Sequence, residues 1–126
     1  MKKVNIRHWQ SSHNDWLRAL GFYKGELELL QERLTDIAGR NTHAEVLQKV
    51  GHFESQFLIQ RNNIEEMVHD IRANLNKIAT EVDLNIGFVD EALIARMGKL
   101  KEFFIEEEKA IQQLRHAFNL FCAEWM

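Results

Sequence analysis

The sequence predicts an all-α protein, an elongated up-down-up bundle of three antiparallel helices with coiled-coil-like packing. Three observations favour this fold class. The 126 residues include no proline and only six glycines, so few positions interrupt a helix. Apolar residues recur at alternating steps of three and four, the period of helices that pack along one seam. Two short interruptions divide the chain into helices expected over about residues 8–39, 43–82 and 88–124.

The first helix carries an unbroken seam of large side chains. Its members are Trp16, Leu20, Tyr23, Leu27, Leu30, Leu34 and Ile37. The same phase continues backwards to His13 and Trp9, while residues 12–15 also match a capping box, so the helix is expected to begin between residues 6 and 12. Gly39 is expected to end it, because glycine readily adopts the left-handed conformation that closes many helices.

The second helix opens with a capping box over residues 42–45. Its seam keeps the four-three rhythm and then shifts by one residue. The members are Val46, Val50, Phe53, Phe57, Gln60, Ile64, Met67 and Ile71, followed after the shift by Leu75, Ile78 and Val82. We attribute the shift to the drift between a 3.6-residue helical turn and a 3.5-residue repeat.

The third helix follows an interruption at residues 83–87, where cap-forming residues and a glycine occur together. Its seam contains one polar member. The positions are Leu93, Met97, Leu100, Phe104, Glu107, Ile111, Leu114, Phe118, Phe121 and Trp125. Because short links make consecutive helices antiparallel, the three segments form a rod that we expect to be roughly 45 to 60 Å long.

Composition indicates a single domain over residues 1–126, with a short flexible N-terminal arm over about residues 1–7. The net charge of -3 argues against nucleic acid as a partner. No apolar run approaches the roughly 20 residues that a membrane span requires, so we expect no membrane partner and a cytoplasmic location. The single cysteine, Cys122, is expected to be a buried core residue.

The polar members of the seams indicate where the core departs from apolar packing. His13, Gln60 and Glu107 hold seam positions, and buried polar groups require hydrogen-bond partners. A first turn centred near residue 41 pairs positions whose numbers sum to about 82, which places Tyr23 beside Gln60. Tyr23, Gln60 and Glu107 are therefore predicted to form one polar core layer. Such a layer fixes the register of the helices, and the alternative is a pocket for a small ligand.

A second group of polar residues has the spacing of metal ligands. Glu66 and His69 form a Glu-x-x-His pair on one helical face, and the same register places His13 opposite His69. With Glu102 from the third helix, these residues define a candidate mononuclear metal site. Di-metal carboxylate bundles use two such motifs, and this chain contains one. The alternative is a solvated polar edge, and no cofactor is predicted.

Large apolar residues also lie beside the seams. Phe103, Phe104 and Ile105 are consecutive and must point to different sides of the third helix, so at least one lies outside the core. Phe103, Ile105, Leu58 and Phe22 are therefore the candidate interface residues. A homo-oligomer, with a dimer first, is the economical partner, although another protein partner and scattered surface hydrophobes are the alternatives.

The sequence contains no motif typical of an enzyme. It has no glycine-rich phosphate loop, no Gly-x-Ser-x-Gly elbow and no Cys-x-x-Cys pair. We therefore expect a noncatalytic interaction or scaffold module that acts through helix faces and associates with itself. The alternative function is a bundle that binds a metal ion or small ligand through the His and Glu cluster.

Overall fold

The computed structural model describes residues 2–3, 6–85 and 88–125, and it describes side chains for residues 6–81 and 90–125. Within these ranges the chain forms three long helices and one pair of two-residue strands. In order they are β1 (Lys2–Lys3), α1 (Ile6–Arg40), α2 (Ala44–Asn85), β2 (Phe88–Val89) and α3 (Glu91–Trp125). The three helices pack against one another, which confirms the predicted all-α bundle.

Helix α1 ends one residue later than predicted, at Arg40, and helix α2 begins one residue later, at Ala44. Gly39 lies inside α1, which continues to Arg40, so the prediction that Gly39 ends the helix in a left-handed conformation is wrong. The end of the helix is instead capped by Asn41, whose Nδ2 donates to the Ile37 carbonyl at 2.8 Å. The carbonyl of His43 accepts the first helical bond of α2, from the Leu47 amide at 3.0 Å.

The second link lies further along the chain than the prediction places it. Helix α2 continues to Asn85, so residues 83–85 of the expected interruption are helical, and residues 86–87 lie outside the described residues. Helix α3 starts at Glu91 because Asp90 caps it, its Oδ1 accepting from the Ala92 amide at 2.8 Å. The Asp90 amide also donates to Glu81 Oε2 at 2.9 Å, which ties the start of α3 to α2.

Part of the N-terminal arm, predicted as flexible over about residues 1–7, lies in elements of secondary structure. Lys2 and Lys3 pair with Val89 and Phe88 in an antiparallel strand ladder. Ile6 and Arg7 already belong to α1, and residues 1, 4 and 5 lie outside the described residues. The beginning of the chain is therefore attached to the segment that joins α2 to α3.

The seams form the core that the periodicity predicts. The buried apolar residues of α1 are Trp16, Leu20, Leu27, Leu30, Leu34 and Ile37, and those of α2 include Val46, Val50, Phe53, Phe57, Ile64, Ile71 and Ile78. Helix α3 adds Leu93, Met97, Leu100, Ile111, Phe118, Phe121 and Cys122. Phe53 and Phe118 meet edge to face with ring centroids 5.3 Å apart, which is a favourable aromatic geometry.

The register between α1 and α2 differs from the predicted one. His13 contacts Asn74, and Lys24 pairs with Glu65 at 3.5 Å, so the paired residue numbers sum to 87 and 89 rather than about 82. Each α1 position therefore faces a residue of α2 that lies five to seven positions later than predicted. The link spans residues 41–43 and is centred one residue later than predicted, which accounts for about two of these positions.

Candidate functional site

A buried polar pair joins α2 to α3 near the middle of the bundle. Gln60 is 9% exposed and Glu107 is 6% exposed. With the Gln60 nitrogen directed at the carboxylate, it lies 2.9 Å from Oε1 and 2.7 Å from Oε2 of Glu107. Two seam positions predicted to share a polar layer therefore contact each other.

The surroundings of Glu107 favour its neutral form. Burial raises the pKa of Glu107 to about 7, and a hydrogen bond from the Asn63 side chain acts in the opposite direction. Gln60 suits both protonation states, because its amide nitrogen donates to a carboxylate and its amide oxygen accepts from a carboxylic acid. Gln60 therefore offers Glu107 a hydrogen-bond partner across the helices in either protonation state.

The Gln60 and Glu107 pair lies in a groove of about 380 Å³ between α2 and α3. Its lining also includes Asn63, Glu66, Met67, Asp70, Leu100, Phe103, Glu106 and Ala110. The charged side chains of the lining are carboxylates, and Asp70 is paired with Arg96 of α3 at 3.7 Å. The groove is therefore acidic with an apolar wall.

Tyr23, the third residue of the predicted layer, has a different partner. Its hydroxyl donates to Glu108 Oε2 at 2.6 Å, across the contact between α1 and α3. One turn further along α1, Arg115 donates to Glu26 Oε1 at 2.7 Å. Burial raises the pKa of Tyr23 to about 12, and the hydrogen bond to Glu108 adds to this effect. These contacts form a polar edge between parallel helices, separate from the buried Gln60 and Glu107 pair.

His13 occupies a second buried polar position, between α1 and α2. Its Nδ1 lies 2.7 Å from the carbonyl oxygen of Trp9, and its Nε2 lies 3.1 Å from Nδ2 of Asn74. A carbonyl only accepts and an amide nitrogen only donates, so the ring is neutral with its proton on Nδ1. Burial lowers the pKa of His13, and the hydrogen bond to Trp9 opposes that change.

The four candidate metal ligands do not come together. His13 is fully buried and uses both ring nitrogens, whereas His69 is exposed in a groove between α1 and α2. Glu66 lies in the separate groove between α2 and α3, and Glu102 is exposed. Among the described residues, no group of three or more His, Cys, Asp or Glu side chains has an arrangement that could hold a metal ion. The cause is the register, which places Asn74 rather than His69 opposite His13.

The candidate interface residues are exposed, but they lie on different sides of the bundle. Phe103 lines the groove between α2 and α3, and Leu58 lines a groove between α1 and α2. Ile105 follows Phe103 by two positions, which turns it to another side of α3. Phe22 on α1 is 66% exposed, and Leu29, seven residues later on the same helical face, is 61% exposed.

Two of the polar contacts between helices involve residues that the sequence did not single out, Asn74 and Glu108. Asn74 is 3% exposed and continues the four-three rhythm of α2 from Ile71 to Ile78, so the seam itself contained the signal. Glu108 follows a seam position and is only partly buried, so periodicity alone did not distinguish it from a solvated residue.

None of the described helices contains a stretch that is long and apolar enough to cross a membrane. Comparison with known proteins adds no family to these observations. No protein-family model, no curated protein and no solved structure matches this chain.

Proposed function

We propose that the protein is a noncatalytic interaction module that acts through its helix faces in the cytoplasm and associates with itself as a homodimer. The observation that carries the proposal is a set of eight large apolar side chains that are between 42% and 66% exposed. They are Phe22, Leu29, Leu47, Leu58, Ile59, Phe103, Ile105 and Leu120. Every helix contributes at least one of them.

Single exposed hydrophobes are normal on protein surfaces, so the arrangement matters more than the number. Phe22 and Leu29 are separated by two turns of α1, which places them on one line along the outside of the helix. Helix α1 has 35 residues, and at about 1.5 Å per residue it offers a face roughly 50 Å long. An apolar line on a long helix is typical of surfaces that pack against another helix.

The buried polar groups support a noncatalytic role. Gln60 pairs with Glu107, and His13 pairs with Trp9 and Asn74, so these groups satisfy one another across the helices. Partners of this kind fix the register of a bundle. Cys122 is buried as a free thiol, which fits a protein of a reducing compartment.

Light scattering coupled to size exclusion tests the proposal, with the protein injected over a concentration range from about 1 μM to 500 μM. We expect a mass of twice the chain at the upper concentrations, moving toward the mass of one chain on dilution. A mass of one chain at every concentration would overturn the proposed self-association.

A further inference from the structure

The outward face of α1 combines two glycines with two large exposed apolar residues. We define the α1 outer face as the exposed residues Arg18, Gly21, Phe22, Gly25, Leu29 and Glu32. Arg18, Phe22, Gly25, Leu29 and Glu32 follow one another at steps of four and three, and Gly21 lies four residues before Gly25. These positions therefore share one side of the helix, away from the buried seam. The apolar residues lie at the centre of this face, and the charged residues lie at its two ends.

Two glycines open the centre of this face. A Cβ atom at Gly21 or Gly25 would meet nothing within 4 Å. Glycine inside a helix costs about 1 kcal/mol relative to alanine, so packing within the monomer does not account for these residues. Glycines four residues apart do, however, let the backbone of a second helix approach closely, as small residues do in tight helix pairs.

We propose that a second copy of this chain covers the α1 outer face with its own α1, in antiparallel orientation, with the twofold axis beside Gly25. The inference rests on the proposed self-association and specifies its surface and orientation. Gly21 and Leu29 are equally distant from Gly25 along the helix. The Leu29 side chain of each protomer therefore packs over the open Gly21 position of the other, and the two Gly25 residues meet at the axis.

The charges flanking the face favour this orientation. Arg18 and Glu32 are equally distant from Gly25 along the helix. An antiparallel pair therefore places Arg18 opposite Glu32, whereas a parallel pair places each charge opposite its own copy. Within α1, Arg18 also pairs with Asp15. Both side chains are exposed, and such surface pairs exchange partners at little cost.

Disulfide trapping tests the geometry directly. In a Cys122→Ala background, Gly25→Cys introduces a thiol at the proposed axis, and Gly51→Cys introduces one at an equally open and exposed glycine of α2. A disulfide requires Cα atoms about 4.4 to 6.8 Å apart, which the two Gly25 positions satisfy at a close helix crossing. Under mild oxidation we expect rapid formation of a covalent dimer by Gly25→Cys and not by Gly51→Cys.

The outcomes separate this inference from the proposed function. A dimer in light scattering that Gly25→Cys does not trap would overturn the α1 geometry while self-association stands. A chain that remains monomeric at every concentration would overturn both. Circular dichroism of each variant checks that the helices are intact. We expect them to be, because a Cβ atom at either glycine meets no other atom within 4 Å.

Charge reversal provides a second, independent measurement. Arg18→Glu places like charges opposite each other and is expected to raise the dimer Kd by about tenfold or more. The double variant Arg18→Glu with Glu32→Arg restores the opposite-charge pair and is expected to bring the Kd back close to that of the original chain. A double variant that dimerises no better than Arg18→Glu alone would overturn the antiparallel orientation. The effect of the single reversal should also shrink in about 1 M salt, where charges are screened over about 3 Å.

Discussion

Among the described residues, two buried polar contacts join helices, and burial shifts the pKa of the titratable group in opposite directions in the two. His13 is fully buried between α1 and α2, and burial lowers its pKa. Glu107 is buried between α2 and α3 beside a groove, and burial raises its pKa to about 7. In each case burial favours the uncharged form, which is neutral imidazole for the base and carboxylic acid for the acid.

The two contacts also differ in how completely the protein surrounds them. The His13 ring lies 4.6 Å from the Trp16 ring and 6.3 Å from the Trp9 ring, measured between centroids, so aromatic groups enclose it. Glu107 instead lies in an open groove next to Phe103. We conclude that the His13 contact belongs entirely to the core, whereas the Glu107 contact lies in the core and also lines a surface groove.

The largest expected effect is on stability and concerns His13. His13→Ala removes a fully buried ring and leaves the Asn74 amide without its partner. We therefore expect the free energy of unfolding to fall by about 3 kcal/mol at pH 8. Urea denaturation measures this change. The matched control is His69→Ala, which removes an exposed histidine and should change stability by less than about 0.5 kcal/mol. Equal losses of stability in the two variants would contradict the conclusion that His13 is buried and hydrogen-bonded while His69 is exposed.

The next effect is the pH dependence of stability that Glu107 causes. The pKa of Glu107 rises from 4.5 to about 7 on folding, so between these values the folded chain holds a proton that the unfolded chain has released. Stability is therefore lost as the pH rises through this window, by an amount on the order of 3 kcal/mol in total.

Replacement of Glu107 by Gln removes this titration while it retains a side chain that bonds to Gln60. We expect Glu107→Gln to be more stable than the original chain at pH 8 and similar to it at pH 4.5, as measured by urea unfolding across that range. Glu106→Gln, at an exposed neighbouring position, is the control. A pH profile of Glu107→Gln that follows the original chain would show that Glu107 does not titrate in this window.

The smallest expected effect lies at the polar edge, outside both buried contacts. Tyr23→Phe removes the hydroxyl that donates to Glu108, and we expect a loss of about 1 kcal/mol or less because this contact is only partly buried. A double-mutant cycle with Glu108→Gln measures the coupling between the two side chains. A coupling energy of zero would mean that solvent already replaces the hydrogen bond.

The core was predictable because one period runs through all three helices, and the buried apolar residues follow from it. The pairing of Gln60 with Glu107 was also accessible, because both hold seam positions. Asn74 was missed because a polar residue in the seam was interpreted as a shift to Leu75, although the four-three rhythm continues through residue 74. The metal site depended on the exact register of the first hairpin, and a change of five positions separates His13 from His69.

The strand pair between Lys2–Lys3 and Phe88–Val89 has a consequence for how the chain acquires its structure. Helices α1 and α2 adjoin each other in the sequence, so their hairpin forms through contacts of moderate sequence separation. The strand pair joins residues that lie 85 and 87 positions apart in the sequence, and it closes only after α2 has been synthesised and folded back. We therefore expect the first hairpin to form early and the beginning of the chain to be locked in place late, together with the docking of α3.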